Sequence, residues 1–178
     1  MNFLERKKKL ILLNNVPSSF VKKENKYLFR WIIHCKENEV LKIRNSFNVV
    51  KNLKESKQIP AKDHSIFIKN YLSLKRIDFM IEDSKKETLL GGVNLNKTDF
   101  GYELGKYIGD ENYLGKGIAK KAVSNFLVYI DNSFKEVSKI YAKTRKDNLV
   151  NIHINETLGF EISKTLNDDF ILMKRRRN

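Results

Sequence analysis

Residues 112–130 read NYLGKGIAKKAVSNFLVYI, a basic glycine turn running directly into an amphipathic helix. Strand-like runs flank it, FGYELGKYIG at 100–109 and VSKIYAKT at 137–144. A strand, a helix and a second strand in one sheet need a parallel crossover, which no tight hairpin supplies. Within the helix, Ile118, Ala122, Val123, Phe126, Leu127 and Ile130 recur at a spacing of three to four. Lys120, Lys121 and Asn125 take the wet side, so one stripe faces a core.

The remaining elements follow from their periodicity. KYLFRWII (26–33) alternates as a first strand, and KENEVLKIRNSFNVVKNL is helical, with Val40, Leu41 and Ile43 in register. Pro60 starts a second helix, AKDHSIFIKNYLSL, with Ile66, Phe67 and Leu72 on one face. RIDFMIED (76–83), TLLGGVNLNKT (88–98) and the run at 100–109 are strands, the first two joined by a hairpin loop, SKKE. NLVNIHINETL (148–158) is a short helix closed by Gly159, and FEISKTL with DFILMKR forms a final hairpin. The order is β-α-α-β-β-β-α-β-α-β-β, an α/β fold with a mixed central sheet and helices on both faces. KLILLNN, within residues 1–25, is left as an edge strand or an arm before a single domain at 26–178.

At 178 residues the chain is long enough for one domain with a real core. The longest apolar runs fall short of the roughly 18 residues a membrane span needs. The single cysteine, Cys35, excludes an intrachain disulfide and a cysteine metal cluster, so no metal is expected and a cytoplasmic setting is. The net charge of +14 attracts phosphates in general. Lysine far outnumbers arginine along the whole chain, as an AT-rich coding bias would produce, and the densest runs, ERKKK and KRRRN, sit at the two ends. An anionic small ligand fits this charge at least as well as nucleic acid, which is not the expected partner.

The glycine turn carries the chemistry. A helix N-terminus leaves N–H groups without internal partners at a partly positive end. Behind a strand, such an end holds a diphosphate if the backbone can come close. Gly115 and Gly117 permit that approach, and Lys116 adds a mobile positive charge. A Walker loop is excluded because its longer glycine spacing and the following Lys-Ser/Thr are missing, and the dinucleotide fingerprint lacks its third glycine at 120.

Taken in order, strand, NYLGKG turn, helix, strand and DNLVNIHINETLGF resemble the GNAT superfamily of acyl-CoA-dependent N-acetyltransferases. The pyrophosphate turn of that superfamily, Gln/Arg-x-x-Gly-x-Gly/Ala, is similar to Asn112-Tyr113-Leu114-Gly115-Lys116-Gly117. Its asparagine with a following Leu-Gly-Phe is matched by Asn148 and Leu158-Gly159-Phe160. The resemblance covers about 26–175 and is strongest between 100 and 160. LKIRNS looks like the Arg-Asn pair after the first helix of the RimJ/RimL-like branch, which includes PseH-like nucleotide-amino-sugar N-acetyltransferases, and IPAKDHSIFIKNYL is similar to the second helix of that branch.

The resemblance implies acetyl-CoA as co-substrate and a primary amine as acceptor. That acceptor is an amino sugar on a nucleotide carrier or, alternatively, a protein N-terminus. A GNAT-like domain without turnover that binds anionic partners is a third possibility, and the chain is expected as monomer or homodimer. Backbone N–H groups of Leu114, Gly115, Lys116, Gly117, Ile118 and Ala119 would surround the pyrophosphate. The strand edge at Tyr107 and Ile108 would pair with the pantetheine amides, and Asn148 and Asn151 would bind the same arm. Asn148 has the alternative of a helix N-cap.

Glu103 is the expected base, acting through a water, with an outward salt-bridging glutamate as the alternative. Arg44, Asn45 and His64 are expected to contact the acceptor; Arg44 has the alternative of a structural salt bridge, and His64 that of a plain helix-surface residue. One departure stands out. Many superfamily members carry a tyrosine that protonates the leaving thiolate where this chain has Asn155, and an amide cannot serve as that acid.

Overall fold

A computed structural model describes residues 1–18, 26–53 and 57–175. Seven strands form one sheet in the order β1-β2-β3-β4-β5-β7-β6. They are β1 (Tyr27–Trp31), β2 (Arg76–Asp83), β3 (Thr88–Thr98), β4 (Gly101–Ile108), β5 (Ile140–Arg145), β6 (Phe160–Thr165) and β7 (Phe170–Arg175). Every neighbouring pair is antiparallel except β4 with β5, the parallel pair that the crossover requires. The helices are α1 (Phe3–Leu12), α2 (Glu37–Arg44), α3 (Phe47–Val50), α4 (Ala61–Asn70), α5 (Ile118–Ser133) and α6 (Leu149–Thr157). Among the described residues, no helix is long and apolar enough to cross a membrane.

The core is organised around Phe79 on β2. Its ring centroid lies 4.2 Å from Trp31, 6.0 Å from Phe126 and 5.4 Å from Tyr129, so β1, β2 and α5 meet there. Val123, Phe126 and Ile130 on α5 are fully buried, as the spacing predicted. Each such side chain contributes roughly 1.5–3 kcal/mol by leaving water.

Four elements differ from the sequence reading. The second helix, α4, stops at Asn70 before a 3-10 turn at Tyr71–Ser73, and it is His64 and Tyr71 that are buried there, while Ile66 and Leu72 are exposed. Residues 3–12 form neither a strand nor an arm but helix α1, and residues 19–25 of that segment lie outside the described residues. Asn2 and Glu5 make a reciprocal capping box at its start, and Phe3, Lys7 and Ile11, four residues apart, form its buried face. Phe3 then packs 5.8 Å from the Tyr102 ring and 5.1 Å from that of Phe134, tying α1 to β4 and the end of α5. The long helix expected after Lys36 breaks into α2 and α3 at Asn45 and Ser46, because Asn45 turns its side chain to another segment. The expected first strand stops at Trp31, and Ile32–His34 is a 3-10 turn.

Candidate active site

β4 and β5 pair at only two positions, Tyr102 with Ile140 and Glu103 with Tyr141. Both strands continue, β4 to Ile108 and β5 to Arg145, so they diverge and leave a wedge in the sheet. On its other side, β4 stays paired with β3 without a register shift from Gly101 to Ile108.

Strand alternation decides which groups enter the wedge. The Tyr102 N–H donates to the Lys139 carbonyl at 2.9 Å, toward β5. Leu104, Lys106 and Ile108 therefore aim their backbone N–H and C=O groups the same way, beyond the last paired residue. Glu103, Gly105 and Tyr107 aim theirs at β3. The unpaired edge is thus supplied by Lys106 and Ile108, and not by the Tyr107 backbone expected from sequence.

Side chains alternate likewise. Tyr102, Leu104, Lys106 and Ile108 face the layer of α1 and α5, where Tyr102 meets Phe3. Glu103, Gly105 and Tyr107 face the α2 side, where the Arg44 guanidinium lies 4.7 Å from the Tyr107 ring centroid. Burial pushes the Tyr107 hydroxyl up to about 12, with the nearby Arg44 charge pulling the other way. A side chain at Gly92, opposite Tyr107, would strike its hydroxyl at 2.7 Å. Cross-strand register sets further polar groups on this face. Asn94 pairs with Gly105 and Asp78, and Asn96 pairs with Glu103 and Arg76. Arg76 and Asp78 are joined by two hydrogen bonds, of 2.7 and 2.5 Å. Glu103 is half-buried at the apex of the wedge, in the last pair before the strands part.

The turn at the mouth of the wedge is held from beneath. The buried Tyr113 donates its hydroxyl to Asp83 at 2.9 Å. The Lys116 and Lys86 ammonium groups stand 5.2 and 5.5 Å from its ring centroid. Gly115 and Gly117 have φ of +71° and +70°, a left-handed backbone that glycine adopts at least expense. A Cβ at either would meet nothing within 4 Å, so the space above the turn is open. Gly117 is the N-cap of α5, no side chain caps it, and the first turn holds no acid. The leading amides of a 16-residue helix therefore lack a side-chain acceptor. The Leu114 N–H, by contrast, donates to the Glu111 carbonyl at 3.1 Å, so the donors begin at Gly115 rather than at Leu114. Ile118 is buried and Ala119 half-buried where α5 enters the core, leaving their amides to serve the turn.

The other expected residues divide. The Asn45 side chain both donates to and accepts from the Ile59 backbone, at 2.9 and 2.8 Å, so it is an anchor and is not free for an acceptor. Asn148 caps α6 by accepting from the Asn151 N–H at 3.0 Å and donates to Asn52 at 3.1 Å. The Asn151 amide donates to Thr144 at 3.2 Å, at the β5 side of the wedge. His64 is an interior group at 3 % exposure and not a surface one, and its Nε2 has no hydrogen-bond partner. Burial lowers its pKa, opposed by Glu37 and reinforced by Arg44. Sequence reasoning missed Lys106, Asn94, Asn96 and the Arg76–Asp78 pair. The alternation in GGVNLN, with asparagines two apart, was the available signal for a polar strand face.

Residues 22–161 match the profile of the family described as "Acetyltransferase (GNAT) domain". The chain belongs to the GNAT acetyltransferase family. No curated protein matches it at the sequence level. Among solved structures, it is similar to the spermidine N-acetyltransferase of Vibrio cholerae in complex with CoA and spermine. That likeness has a TM-score of 0.70 and 19 % identity, covering 85 % of this chain and 95 % of that one. A domain from Methanocaldococcus jannaschii gives 0.68 and 24 %, with 84 % and 97 % covered. The ribosomal-protein-S5-alanine acetyltransferase of Vibrio fischeri gives 0.65 and 18 %, with 90 % and 96 % covered. These likenesses carry the fold.

As a GNAT acetyltransferase the protein takes its acetyl group from acetyl-CoA. Its residues fit that co-substrate: an open glycine turn with uncapped amides suits a diphosphate, and an unpaired strand edge suits an arm containing amides. CoA supplies an activated thioester, and these donors would hold it.

Proposed function

We propose that this GNAT acetyltransferase acetylates the primary amine of a small anionic acceptor, of the kind formed by an amino sugar on a nucleotide carrier. The observation that carries this reading is Arg44 above Tyr107 on the α2 face of the wedge. Among the described residues Arg44 forms no ion pair, whereas Arg76 on the same face is closed on Asp78. A planar guanidinium held over a ring is suited to a phosphate or carboxylate. Asn45 next to it pins the end of α2 to Ile59 and so fixes where Arg44 stands. The similarity of LKIRNS to the RimJ/RimL-like branch supports the same reading: one residue of the pair anchors and the other presents.

In this scheme the amides from Gly115 to Lys120 hold the pyrophosphate, with Lys116 and Lys86 adding charge, and the Lys106 and Ile108 backbone holds the pantetheine arm. The acceptor enters on the face that carries Arg44, Tyr107 and Glu103. An ammonium has no lone pair, so Glu103 takes its proton through a water before attack. Asn94 and Asn96 flank Glu103 and Gly105 in register, and they orient acceptor hydroxyls or that water.

The net charge of +14 supports an anionic acceptor over a polycation. The test is thiol release from acetyl-CoA with three acceptors: a nucleotide-linked amino sugar, a peptide with a free N-terminus, and spermidine. Turnover with the first alone is expected. Turnover with the peptide alone would move the assignment to a protein acceptor, and turnover with spermidine alone would refute the anionic one. Acetyl-CoA binding without turnover on any amine would mark a non-catalytic domain.

A further inference from the structure

The position that Asn155 occupies leaves the departing thiolate without its expected tyrosine, and the structure brings another group there. Lys106 lies on the unpaired β4 edge, and its side chain faces the α5 layer. Its ammonium donates to Asn155 Oδ1. Asn155 is fully buried on α6, and its own amide donates to Thr144 Oγ1 at 3.0 Å and approaches Met173 Sδ at 3.5 Å. Thr144 is on β5, so the Lys106–Asn155–Thr144 chain spans the wedge from one strand to the other. The Asn155 amide is thereby fixed with its oxygen toward Lys106.

The faces of the sheet divide the labour. Glu103 and Arg44 lie on the α2 side and Lys106 on the opposite side. A thioester threaded between β4 and β5 would meet the amine from one face and release its sulfur toward the other.

Resting on the transferase reading above, we infer that Lys106, aimed by Asn155, is the proton donor to the CoA thiolate. As the carbon–sulfur bond breaks, the sulfur leaves with the bonding pair and takes a proton from Lys106 Nζ. Lysine is left as the neutral amine and regains a proton from solvent, while the acceptor nitrogen sheds two protons through Glu103 and water, one from the ammonium before attack and one as the amide forms. The sum is amide, free thiol and one proton, with no further reactant.

The chemistry of the pair is matched. Burial alone lowers the Lys106 pKa to about 8, close to the roughly 8.5 of a free thiol. Donor and acceptor of similar basicity exchange a proton readily near neutral pH. Side chains sharing this face are Tyr102, Leu104 and Ile108 on β4, Ala142 and Thr144 on β5 and Asn155 on α6; of these only Tyr102 titrates, and burial raises its pKa further above the neutral range. The Asn155 carboxamide cannot supply the proton itself, which makes it a positioning residue.

The test is to titrate the sulfur of bound CoA by its thiolate ultraviolet absorption in the wild type, Lys106→Met and Lys106→Arg, alongside CoA affinity and turnover against pH. Lys106→Met keeps the apolar stem and is expected to bind CoA while raising the pKa of the bound thiol by about one unit. Lys106→Arg keeps the charge, so the thiol should stay near its wild-type value, but arginine does not give up a proton. Turnover there should fall about 100-fold. Wild-type turnover should decline as pH rises through about 8, and Lys106→Met should lack that limb. A bound thiol whose pKa is the same in wild type and Lys106→Met, with CoA affinity intact, would overturn the inference while leaving the transferase reading standing. A wild type that fails to bind CoA would overturn both.

Discussion

The Arg44 guanidinium carbon lies 4.7 Å from the centroid of the Tyr107 ring, at the α2 side of the point where β4 leaves β5. Stacking fixes the plane of a group that recognises planar anions. Arg44→Ala should therefore raise KM for an anionic acceptor about 10- to 100-fold, in line with one charged hydrogen-bonding group lost, and change kcat little. Steady-state kinetics with an anionic and a neutral amine side by side check this. An equal loss for both acceptors would make Arg44 a structural residue.

Gly117 combines a φ of +70° with the N-cap of α5 and open space around its missing side chain. The penalty for alanine there is conformational rather than steric crowding from neighbours, about 1–2 kcal/mol. Gly117→Ala should lower Tm by about 2–8 °C for a chain of this size and weaken CoA binding. Gly117→Asn, which tolerates the left-handed region better, should do less of both. Thermal unfolding with and without CoA separates the stability effect from the binding effect.

The crossover and its glycine turn were legible in the sequence because they are written in local terms: a change of period from two to 3.6, and glycines where the chain must turn left-handed. The wedge was not. It depends on β4 and β5 ceasing to pair after Glu103, a tertiary register that no periodicity encodes. Lys106 consequently reads as an ordinary strand lysine until α6 places Asn155 against it. Asn45 reads as an acceptor ligand in the sequence because the partner that claims it, Ile59, lies 14 residues away across residues of no clear period. The start of α1 was readable and was missed. Asn2 and Glu5 spell a capping box, but the apolar KLILL invited a strand.

Tyr113 ends the 3-10 turn before the glycines and fixes it to β2 through Asp83. Burial works to raise the Asp83 pKa, but hydrogen bonds from the Tyr113 hydroxyl and the Lys85 and Lys86 amides more than offset it and hold it below the usual 3.8. A depressed carboxyl contributes stability above its unfolded pKa and loses that contribution as pH falls. Tyr113→Phe should cost about 1.5–3 kcal/mol, the range for a hydrogen bond to a charged group. It should also shift the acid-unfolding midpoint upward. Circular dichroism against pH reads both, and an unchanged midpoint would mean that the two lysine amides suffice.

Glu103 stands at the apex of the wedge, with Asn96 beside it on β3 and Tyr141 on β5. Glu103→Gln keeps the shape and removes the base. Turnover should fall about 100-fold, typical for one general base, with CoA affinity unchanged because the diphosphate turn lies at the other end of β4. Retention of full turnover across pH would return Glu103 to a surface role.

Lys7 is fully buried on α1, and its ammonium donates to the backbone carbonyls of Tyr71 at 2.5 Å and Leu74 at 3.0 Å, over the Tyr71 ring. Burial lowers its pKa from 10.5 to about 7, against an opposing pull from Asp78. The folded value is the lower one, so between about pH 7 and 10.5 the unfolded chain holds a proton that the folded chain has released. Stability must then rise with pH through that window, by up to on the order of 4 to 5 kcal/mol. Below pH 7 both states are charged, and the full penalty of burying the charge is present. Lys7→Met has no such group. The difference in Tm between wild type and Lys7→Met should therefore shift in favour of the wild type from pH 7 to pH 10, with Lys106 and the tyrosines cancelling because both proteins carry them. A difference that stays flat would mean that Lys7 keeps its proton in the folded protein, with Asp78 balancing the burial.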